Sequence, residues 1–395
     1  MLIDVNEMLS AFSLALDLAE NKTFEHAQRT AYIALRVARE IGVSNDQLKD
    51  IHAAALLHDI GLVNALADIH TDESLLVKHC IAGKEISGSL PLSPNVSEYI
   101  LWHHANWDGS GPFELMGNEI PRGAQIVYLA DQLDLMLKSQ DNGCVDRYMI
   151  LDYLNSTSGK TYSPIVVEAF IKVQEREVFW LDYNHYNMSE VLSRIQPVSE
   201  TKINLAGLED VAFAFAKIID SKSPFTHDHS QGVLSLLSKL GEYYGFDEET
   251  TKMLTVSGLL HDLGKLAVPN HILDKPGKLI SSEFQIIKSH PYYTKLILSR
   301  VKDFVEIKEW AGNHHETLDG KGYPEGLRKE QLSRQDQMIA ICDIYQALTE
   351  ERPYRKPLAH SKVYEIMGEL VRDGKLSPEI FSDLRRIIGL QAAVV

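Results

Sequence analysis

Five histidines and two aspartates in the second half of the chain have the types and the order of a metal site. These residues are His229, His261, Asp262, His290, His314, His315 and Asp343. Seven imidazole and carboxylate groups are too many for one tetrahedral zinc ion, but they suit two divalent ions bridged by a carboxylate. The side chains of His261 and Asp262 leave a helix at neighbouring angles, so Asp262 is the expected bridge. Without a thiolate in the set, softness favours Fe or Mn, while the affinity order leaves Zn, Ni, Co and Mg open.

The first half of the chain contains a second copy of this ordered set. Its members are His26, His58, Asp59, His79, His103, His104 and Asp131. The segment ALLHDIG at residues 55–61 matches GLLHDLG at residues 258–264, and the offset of 203 residues also separates His26 from His229. Further along the chain the offset is 211 residues between His79 and His290 and 212 residues between Asp131 and Asp343. A period of this length predicts two tandem domains from a duplication, at residues 1–198 and 199–395.

Helices are the elements that must position both sets. Apolar residues recur every three or four positions at residues 31–41 and 211–219, and signals for strands are nearly absent. Gly61 and Gly264 are expected at helix C-termini, where glycine is favoured. The sequence therefore predicts an all-α fold of two tandem helical domains that pack on each other. The aromatic residues expected at the interface between the domains are Phe179, Trp180 and Tyr183.

The composition excludes several other classes of protein. With 39 basic and 55 acidic residues the formal net charge is −16, which disfavours nucleic-acid polymers and anionic membranes as partners. Three cysteines without a CxxC pair cannot build a disulfide framework and indicate a reducing compartment. No uncharged apolar run approaches the roughly 18 to 20 residues of a membrane span. We therefore expect a cytoplasmic protein.

The second half carries further residues in a recognisable order. Lys265 follows the histidine–aspartate pair in HDLGK, and the segment DGKGYP at residues 319–324 follows the histidine pair. Together with the candidate ligands, they make roughly residues 205–370 resemble the HD-GYP family of HD phosphohydrolases. The resemblance implies a helical, metal-dependent phosphodiesterase that opens bacterial cyclic dinucleotides. It also implies that one ion is held by His229, His261, Asp262 and Asp343, and the other by Asp262, His290, His314 and His315.

The same resemblance implies catalytic and substrate-binding residues. Two metal ions would convert a bridging water into hydroxide by lowering its pKa, and they would neutralise charge on the attacked phosphate. Lys265 lies one helical turn after Asp262, where it could hold a non-bridging phosphate oxygen or assist proton transfer to the leaving 3′ oxygen. Arg352 and Arg355 match the positions at which members of this family bind phosphate, and Tyr323 is a further expected substrate contact.

Two residues depart from the family pattern. Phe225 stands four residues before His229, where family members with a third metal carry a glutamate, so we expect a dinuclear site. Gln346 stands three residues after Asp343, where a second aspartate is common. The second departure removes no core ligand, but it can alter metal contacts or the orientation of the substrate.

The first half lacks the residues expected to bind phosphate. Leu62 takes the place of the lysine, Gln140 and Gly143 correspond to the two arginines, and the loop reads DGSGPF at residues 108–113. We therefore predict that the first domain binds metal with weak activity or none. Its role would be to stabilise, dimerise or regulate the second domain.

The expected reaction is hydrolysis of 3′3′-cGAMP or cyclic di-GMP to a linear dinucleotide, with a slight preference for the hybrid. The residues themselves do not select between the two substrates. One alternative is a non-catalytic signalling module that binds a cyclic dinucleotide, and another is an HD hydrolase of a different phosphorylated nucleotide. Lys265 and the two arginines argue against the first alternative, and the GYP loop argues against the second. A protein partner and the oligomeric state stay open.

Overall fold

A computed structural model describes residues 1–19, 25–61, 73–138, 147–198, 201–222, 229–351 and 356–392. Two short strands, β1 (Leu2–Asp4) and β2 (Lys202–Asn204), pair in a two-stranded sheet, and almost all other regular structure in these ranges is helical. Contacts divide the chain into a first unit, Asp4–Lys202, and a second unit, Met1–Ile3 with Ile203–Val395. The prediction of an all-α fold is confirmed.

The first unit is built around one central helix. Its helices within the described residues are α1 (Val5–Ala19), α2 (His26–Ile41), α3 (Asn45–Leu57), α4 (Glu73–Gly88), α5 (Pro94–Trp102), α6 (Arg122–Lys138), α7 (Arg147–Thr157), α8 (Pro164–Gln174), α9 (Glu177–Tyr183) and α10 (Met188–Ile195). Helix α2 packs against α3, α6 and α8. Ala31, Ala34 and Ala38 of α2 are fully buried, and these small side chains let the neighbouring helices approach closely.

The second unit repeats this arrangement. Its helices within the described residues are α11 (Leu205–Ser221), α12 (His229–Tyr243), α13 (Glu248–Leu260), α14 (Asn270–Leu273), α15 (Ser281–Lys288), α16 (His290–Leu298), α17 (Val305–Gly312), α18 (Arg334–Thr349), α19 (His360–Arg372) and α20 (Pro378–Ala392). Helix α12 packs against α13 and α18, as α2 packs against α3 and α6. Where the first unit has the continuous helix α4, the second has α15 and α16, which are separated by Ser289.

Side-chain caps determine where several helices of the site begin. Ser44, Asp247 and Ser333 precede α3, α13 and α18, and each accepts a hydrogen bond from the backbone N–H three residues later. Such a bond satisfies a donor that the first helical turn leaves unpaired. These caps fix the starting points of the helices that present the candidate ligands.

Gly61 and Gly264 were expected at helix C-termini, and this prediction is wrong. Helices α3 and α13 end at Leu57 and Leu260, and neither glycine is among those with a positive φ. A Cβ atom on Gly264 would lie 1.9 Å from the carbonyl oxygen of His290, and one on Gly61 would lie 2.1 Å from that of His79. Glycine is needed here because the turn after each HD pair lies directly against the backbone of another helix.

Phe179, Trp180 and Tyr183 were expected between the domains, but they belong to the core of the first unit. The ring of Phe179 stacks on that of Tyr32 with centroids 5.5 Å apart, and the hydroxyl of Tyr183 donates to Asp134 across 2.7 Å. All three are at most 5% exposed. No helix in the described part of the chain combines the length and the apolar character needed to cross a membrane.

Candidate metal centre

The second unit brings all seven of its candidate ligands together. His229 and His290 begin helices α12 and α16, and the pair His261 and Asp262 directly follows α13. The pair at residues 314–315 follows α17, and Asp343 lies within α18. Their ligand atoms form three overlapping groups in which all atoms lie within 4.8 Å of one another, namely His229–His261–Asp343, His261–Asp262–His314 and His290–His314–His315. The described chain therefore contains candidate metal-ligand clusters of the expected residues.

Asp262 lies between two sets of histidines. Its Oδ2 is 3.3 Å from Nε2 of His261, and its Oδ1 is 3.4 Å from Nε2 of His290. On the first side, Oδ1 of Asp343 is 3.3 Å from Nε2 of His229. The two oxygens of one buried carboxylate thus face different imidazoles, which is the arrangement that a bridging ligand requires.

Backbone carbonyls orient three of the five histidines. The Nδ1 atoms of His261, His290 and His314 lie 2.7, 2.7 and 2.6 Å from the carbonyl oxygen three residues earlier. A carbonyl only accepts, so Nδ1 carries the proton and the lone pair of Nε2 points into the cluster. Hydrogen bonds of this kind fix the tautomer and the orientation of a metal-binding imidazole.

The buried polar atoms of the cluster fit a divalent cation. Nε2 of His290 and Nε2 of His314 are only 3.1 Å apart, although both rings donate through Nδ1 and both therefore present a lone pair. Nε2 of His261 and Oδ1 of Asp262 are buried and have no hydrogen-bond partner among the described residues. Facing lone pairs and buried acceptors without donors are unfavourable unless a cation lies between them.

The protonation states of the cluster also favour a cation. Burial opposes ionisation of Asp262, yet His261 and Lys265 hold the pKa of its carboxyl well below the usual range. Burial lowers the pKa of His290 and of His315 to about 3, so both rings are neutral near pH 7. Burial acts in the same direction on His229, but hydrogen bonds to Asp343 and Glu350 raise its pKa to about 9. Asp262 is therefore ionised and the imidazoles of His290 and His315 are neutral, which are the ligand forms that metal ions bind, whereas a cation would have to displace a proton from His229.

Lys265 and Tyr323 lie at the edge of this cluster. Nζ of Lys265 is 2.6 Å from Oδ2 of Asp262, and its side chain is 23% exposed. The ring of Tyr323 lies 4.8 Å from that of His315, and Nζ of Lys288 lies 5.1 Å from the centre of the Tyr323 ring. The same ammonium is 5.0 Å from the ring of Phe284. The other sequence-predicted positions of this half, Phe225, Arg352 and Arg355, lie outside the described residues.

The sequence analysis missed Glu316 and Glu350. Glu316 is 4% exposed and accepts hydrogen bonds from the backbone N–H groups of residues 325, 326 and 327, so it holds the end of the GYP loop in place. Glu350 Oε2 lies 3.0 Å from Nδ1 of His229. Both are ordinary glutamates in the sequence, and only the packing of helices distant along the chain reveals their partners.

The first unit also brings its seven candidate ligands together. Nε2 of His26 is 3.2 Å from Oδ1 of Asp131, and Nε2 of His58 is 3.0 Å from Oδ2 of Asp59. Nε2 of His79 is 3.7 Å from the other oxygen of Asp59. The rings of the pair at residues 103–104 are 4.0 Å apart. The arrangement around Asp59 thus parallels the one around Asp262.

The first unit has two features that the sequence analysis missed. Cys80 lies with His79 and His103 in one group of candidate ligands, its Sγ 3.9 Å from Nδ1 of His103. Asp134 and Arg29 form a buried ion pair behind the cluster, with 2.7 Å between Nε and Oδ1. The replacements expected to weaken phosphate binding, Leu62, Gln140 and Gly143, lie outside the described residues.

Comparison with known proteins agrees with the site. The model of the HD domain matches residues 11–164 and 214–380, so the chain belongs to the HD-domain family and carries the domain twice. The resemblance to the HD phosphohydrolases is thereby confirmed. The chain is similar to the 3′3′-cGAMP-specific phosphodiesterase 1 of Vibrio cholerae, with 30% identity over 97% of this chain and 92% of the relative.

Two further relatives extend the comparison. A crystal structure of a cyclic GMP-AMP-specific phosphodiesterase of V. cholerae matches with a TM-score of 0.73 and 26% identity, covering 99% of both chains. A cyclic di-GMP phosphodiesterase of Pseudomonas aeruginosa is 34% identical over 44% of this chain and 41% of its own length. The relatives are therefore phosphodiesterases named for cyclic dinucleotides.

Proposed function

We propose that the chain is a metal-dependent phosphodiesterase that opens a cyclic dinucleotide to a linear dinucleotide, with its active site in the second unit. The observation that carries this proposal is the position of Asp262. Its two carboxylate oxygens face different histidines, and the ammonium of Lys265 lies beside one of these oxygens. A bridging carboxylate next to a lysine suits hydrolysis of a phosphodiester, because the attacked phosphate needs both an activated water and a cation.

The ligand sets for two divalent ions follow the order of the cluster. One ion, Fe or Mn by preference, would be held by His229, His261, Asp262 and Asp343, and the other by Asp262, His290, His314 and His315. When bound, such ions would lower the pKa of a water molecule that they hold and neutralise charge on the phosphate. The facing nitrogens of His290 and His314, 3.1 Å apart, support the second set.

Lys265 is the proposed catalytic side chain beside the ligands. Its ammonium lies 2.6 Å from Asp262 and is partly exposed, so a phosphate bound at the cluster comes within its reach. From this position it can either bind a non-bridging oxygen or supply a proton to the leaving 3′ oxygen. We propose that Arg352 and Arg355 bind the second phosphate, since guanidinium forks match phosphate oxygens.

The bases of the substrate have a suitable surface next to the cluster. Tyr323 lies against His315, and the ammonium of Lys288 lies between the rings of Tyr323 and Phe284. Phe284 is 44% exposed, so a purine can stack on it while Lys288 meets the anionic sugar-phosphate ring. This local positive charge also counters the formal net charge of −16, which would otherwise repel the substrate.

The relatives support 3′3′-cGAMP as the preferred substrate. The compared V. cholerae enzymes, which match nearly the whole chain, are named for this hybrid dinucleotide. The cyclic di-GMP phosphodiesterase of P. aeruginosa matches only 44% of the chain. We therefore propose that the hybrid is hydrolysed faster than cyclic di-GMP.

We propose a different role for the first half, at residues 1–198, than for the catalytic half, at residues 199–395. Its ligands surround Asp59 as those of the second unit surround Asp262, which supports metal binding by His26, His58, Asp59, His79, His103, His104 and Asp131. The sequence has Leu62 where the catalytic lysine would be. A site that binds metal without this ammonium contributes to stability or regulation more than to turnover.

The test is an assay of the full chain reconstituted with Fe(II) or Mn(II) under anaerobic conditions. Each cyclic dinucleotide is incubated separately and the products are resolved by chromatography. We expect a linear dinucleotide, formed fastest from 3′3′-cGAMP, and no product with the His261→Ala or Asp262→Ala variants. If no cyclic dinucleotide is cleaved while metal occupancy is confirmed, the proposal is wrong. Binding without turnover would then identify the chain as a signalling module.

A further inference from the structure

The histidines of the two clusters are oriented in two different ways. Those that directly follow a helix, such as His58 and His261, bond through Nδ1 to the carbonyl oxygen three residues earlier, 2.9 and 2.7 Å away. His26 and His229 instead begin their helices. In both units a carboxylate from a different part of the chain lies at hydrogen-bond distance from the Nδ1 atom of this histidine.

In the first unit this carboxylate belongs to Asp134. Its Oδ2 is 2.7 Å from Nδ1 of His26, and it lies three residues after the candidate ligand Asp131, on the same helix α6. Arg29 donates to Asp134 from Nε and from a terminal nitrogen, across 2.7 and 3.1 Å. The acceptor is therefore held by a cation that projects from the helix of the histidine itself.

The second unit has neither of these two supporting residues. By the repeat offsets, Gln346 stands where Asp134 would be and Gly232 stands where Arg29 would be. The amide of Gln346 donates to Oε1 of Glu350 across 2.6 Å, and Oε2 of Glu350 is 3.0 Å from Nδ1 of His229. A Cβ atom on Gly232 would lie 2.1 Å from this amide, so a side chain at this position would displace the amide from where it lies.

We propose that Glu350 is the positioning residue of His229 and that Gln346 and Gly232 hold it in place. The accepting carboxylate of Glu350 lies four residues, or about one helical turn, beyond Gln346, which occupies the position that corresponds to Asp134. A neutral amide supports this carboxylate where the first unit uses an arginine. The inference rests on the proposed function only in requiring a metal ion at the second unit. Glu350, supported by Gln346, is then the functional replacement for the aspartate of the family pattern.

A carboxylate at this place determines which nitrogen of His229 can bind metal. Because a carboxylate only accepts hydrogen bonds, Glu350 keeps a proton on Nδ1, and Nε2, which lies 3.3 Å from Asp343, is the nitrogen that would give up its proton to a bound cation. Without the acceptor, the tautomer with a proton on Nε2 becomes accessible and its N–H points at the cation. Loss of such a supporting partner typically weakens metal binding about 10-fold to 100-fold.

The test measures Mn(II) binding to the full chain by calorimetric titration, with no substrate present. We expect Glu350→Ala to weaken one class of sites about 10-fold to 100-fold, and Glu350→Gln, which keeps an accepting oxygen, to weaken it less. Glu351→Ala, which changes the exposed neighbour, should bind Mn(II) like the parent chain. The decisive variant is Gln346→Asp combined with Glu350→Ala. It should recover most of the affinity, since Asp134 makes the equivalent bond in the first unit.

The outcomes separate this inference from other roles of Glu350. Unchanged Mn(II) affinity in folded Glu350→Ala protein overturns it. The inference is also overturned if the melting temperature of Glu350→Ala falls by the same amount with and without Mn(II). Such a result is expected of a residue that supports the fold and does not affect metal binding. If Glu350→Ala does not fold, the comparison of Glu350→Gln with the parent decides, and equal affinity again overturns the inference. Weaker metal binding in a chain that cleaves no cyclic dinucleotide would contradict the proposed function alone.

Discussion

Nζ of Lys265 lies 2.6 Å from Oδ2 of Asp262, within the turn that follows helix α13. This contact joins a partly exposed ammonium to the carboxylate that lies between the two sets of histidines. Although burial acts in the opposite direction, this ammonium, together with His261, holds the pKa of the buried Asp262 carboxyl well below the usual range. One side chain thus stabilises the proposed bridging ligand and lies within reach of a phosphate bound at the cluster.

Replacing Lys265 with methionine should reduce turnover without removing metal. Methionine keeps the length of the side chain but has neither a proton to donate nor a charge to stabilise a phosphate oxygen. We expect kcat to fall about 100-fold to 1000-fold, as for the loss of one transition-state donor, with metal content per chain unchanged. Lys362→Met is the control, because Lys362 is exposed and pairs with Glu365 at the surface. Equal turnover in the two variants would contradict a catalytic role for Lys265.

Removing ligands from the first unit should leave most of the turnover intact. In the double variant His58→Ala with Asp59→Ala, two neighbouring ligand atoms 3.0 Å apart are lost. We expect metal content per chain to fall while kcat/KM for the cyclic dinucleotide stays within about twofold, because the second cluster is unaltered. Metal analysis, melting temperature and kinetics on the same preparation provide the comparison. Loss of activity in a well-folded double variant would mean that the first unit takes part in catalysis.

Gly264→Ala should destabilise the second unit and weaken its metal binding. The new Cβ would lie 1.9 Å from the carbonyl oxygen of His290 and 2.7 Å from the backbone nitrogen of Thr294, so helix α16 must move away from the HD turn. Overpacking of this kind costs about 1–3 kcal/mol, which urea denaturation can measure. The matched control is Gly277→Ala, since no atom lies within 4 Å of a Cβ at that position. Equal midpoints for the two variants would refute the packing argument.

Lys222 should make the free energy of unfolding increase with pH above about pH 8. Lys222 is 6% exposed, its Nζ donates to the carbonyl oxygen of Leu266, and burial lowers its pKa to about 8. Between about pH 8 and the unfolded value of about 10.4, the unfolded chain binds more protons than the folded one at this group, so its contribution makes stability rise with pH. Below pH 8 both states are protonated and the slope disappears.

Lys222→Met tests this contribution. We expect the pH dependence of the free energy of unfolding between pH 8 and 10 to become less positive than in the parent, whatever the absolute stability of the variant. Lys217→Met on the same helix α11 is the control, because Lys217 is exposed and should leave the slope unchanged. Identical slopes for Lys222→Met and the parent would show that Lys222 is charged in the folded protein throughout this range.

The sequence was sufficient to predict the helical fold and the residues that meet in each cluster. The two ordered sets have the same residue types at nearly constant offsets. They carry that information because each candidate ligand lies at the start of, within or just after a repeated helix. The roles of the ligands and the boundary after residue 198 stay predictions. The structure adds the contacts that depend on how distant helices pack against each other.

Glu350 and Gly264 show why these contacts were not predictable. Glu350 lies 121 residues from His229, and its role depends on the position of α18 beside the start of α12. Glycine is common at the ends of helices, so the sequence suggested that role for Gly264. The structure shows instead that a glycine is needed there because helix α16 approaches its backbone closely. Cys80 likewise joins His79 and His103 only through the packing of α4 against α5. The residue types and their spacing along the chain do not predict which of these side chains come close together in the fold.

Strand β1, at residues 2–4, pairs with β2, at residues 202–204, and contacts assign Met1–Ile3 to the second unit. During synthesis the first strand therefore leaves the ribosome about 200 residues before its partner, and that sheet cannot form until the whole first half and residues 202–204 have emerged. A truncated chain that begins near residue 199 would contain the proposed active site but expose the edge of β2 to pairing with other chains. An isolated catalytic half is thus expected to aggregate more readily than the full chain, and supplying residues 1–4 as a tethered segment should reduce that tendency.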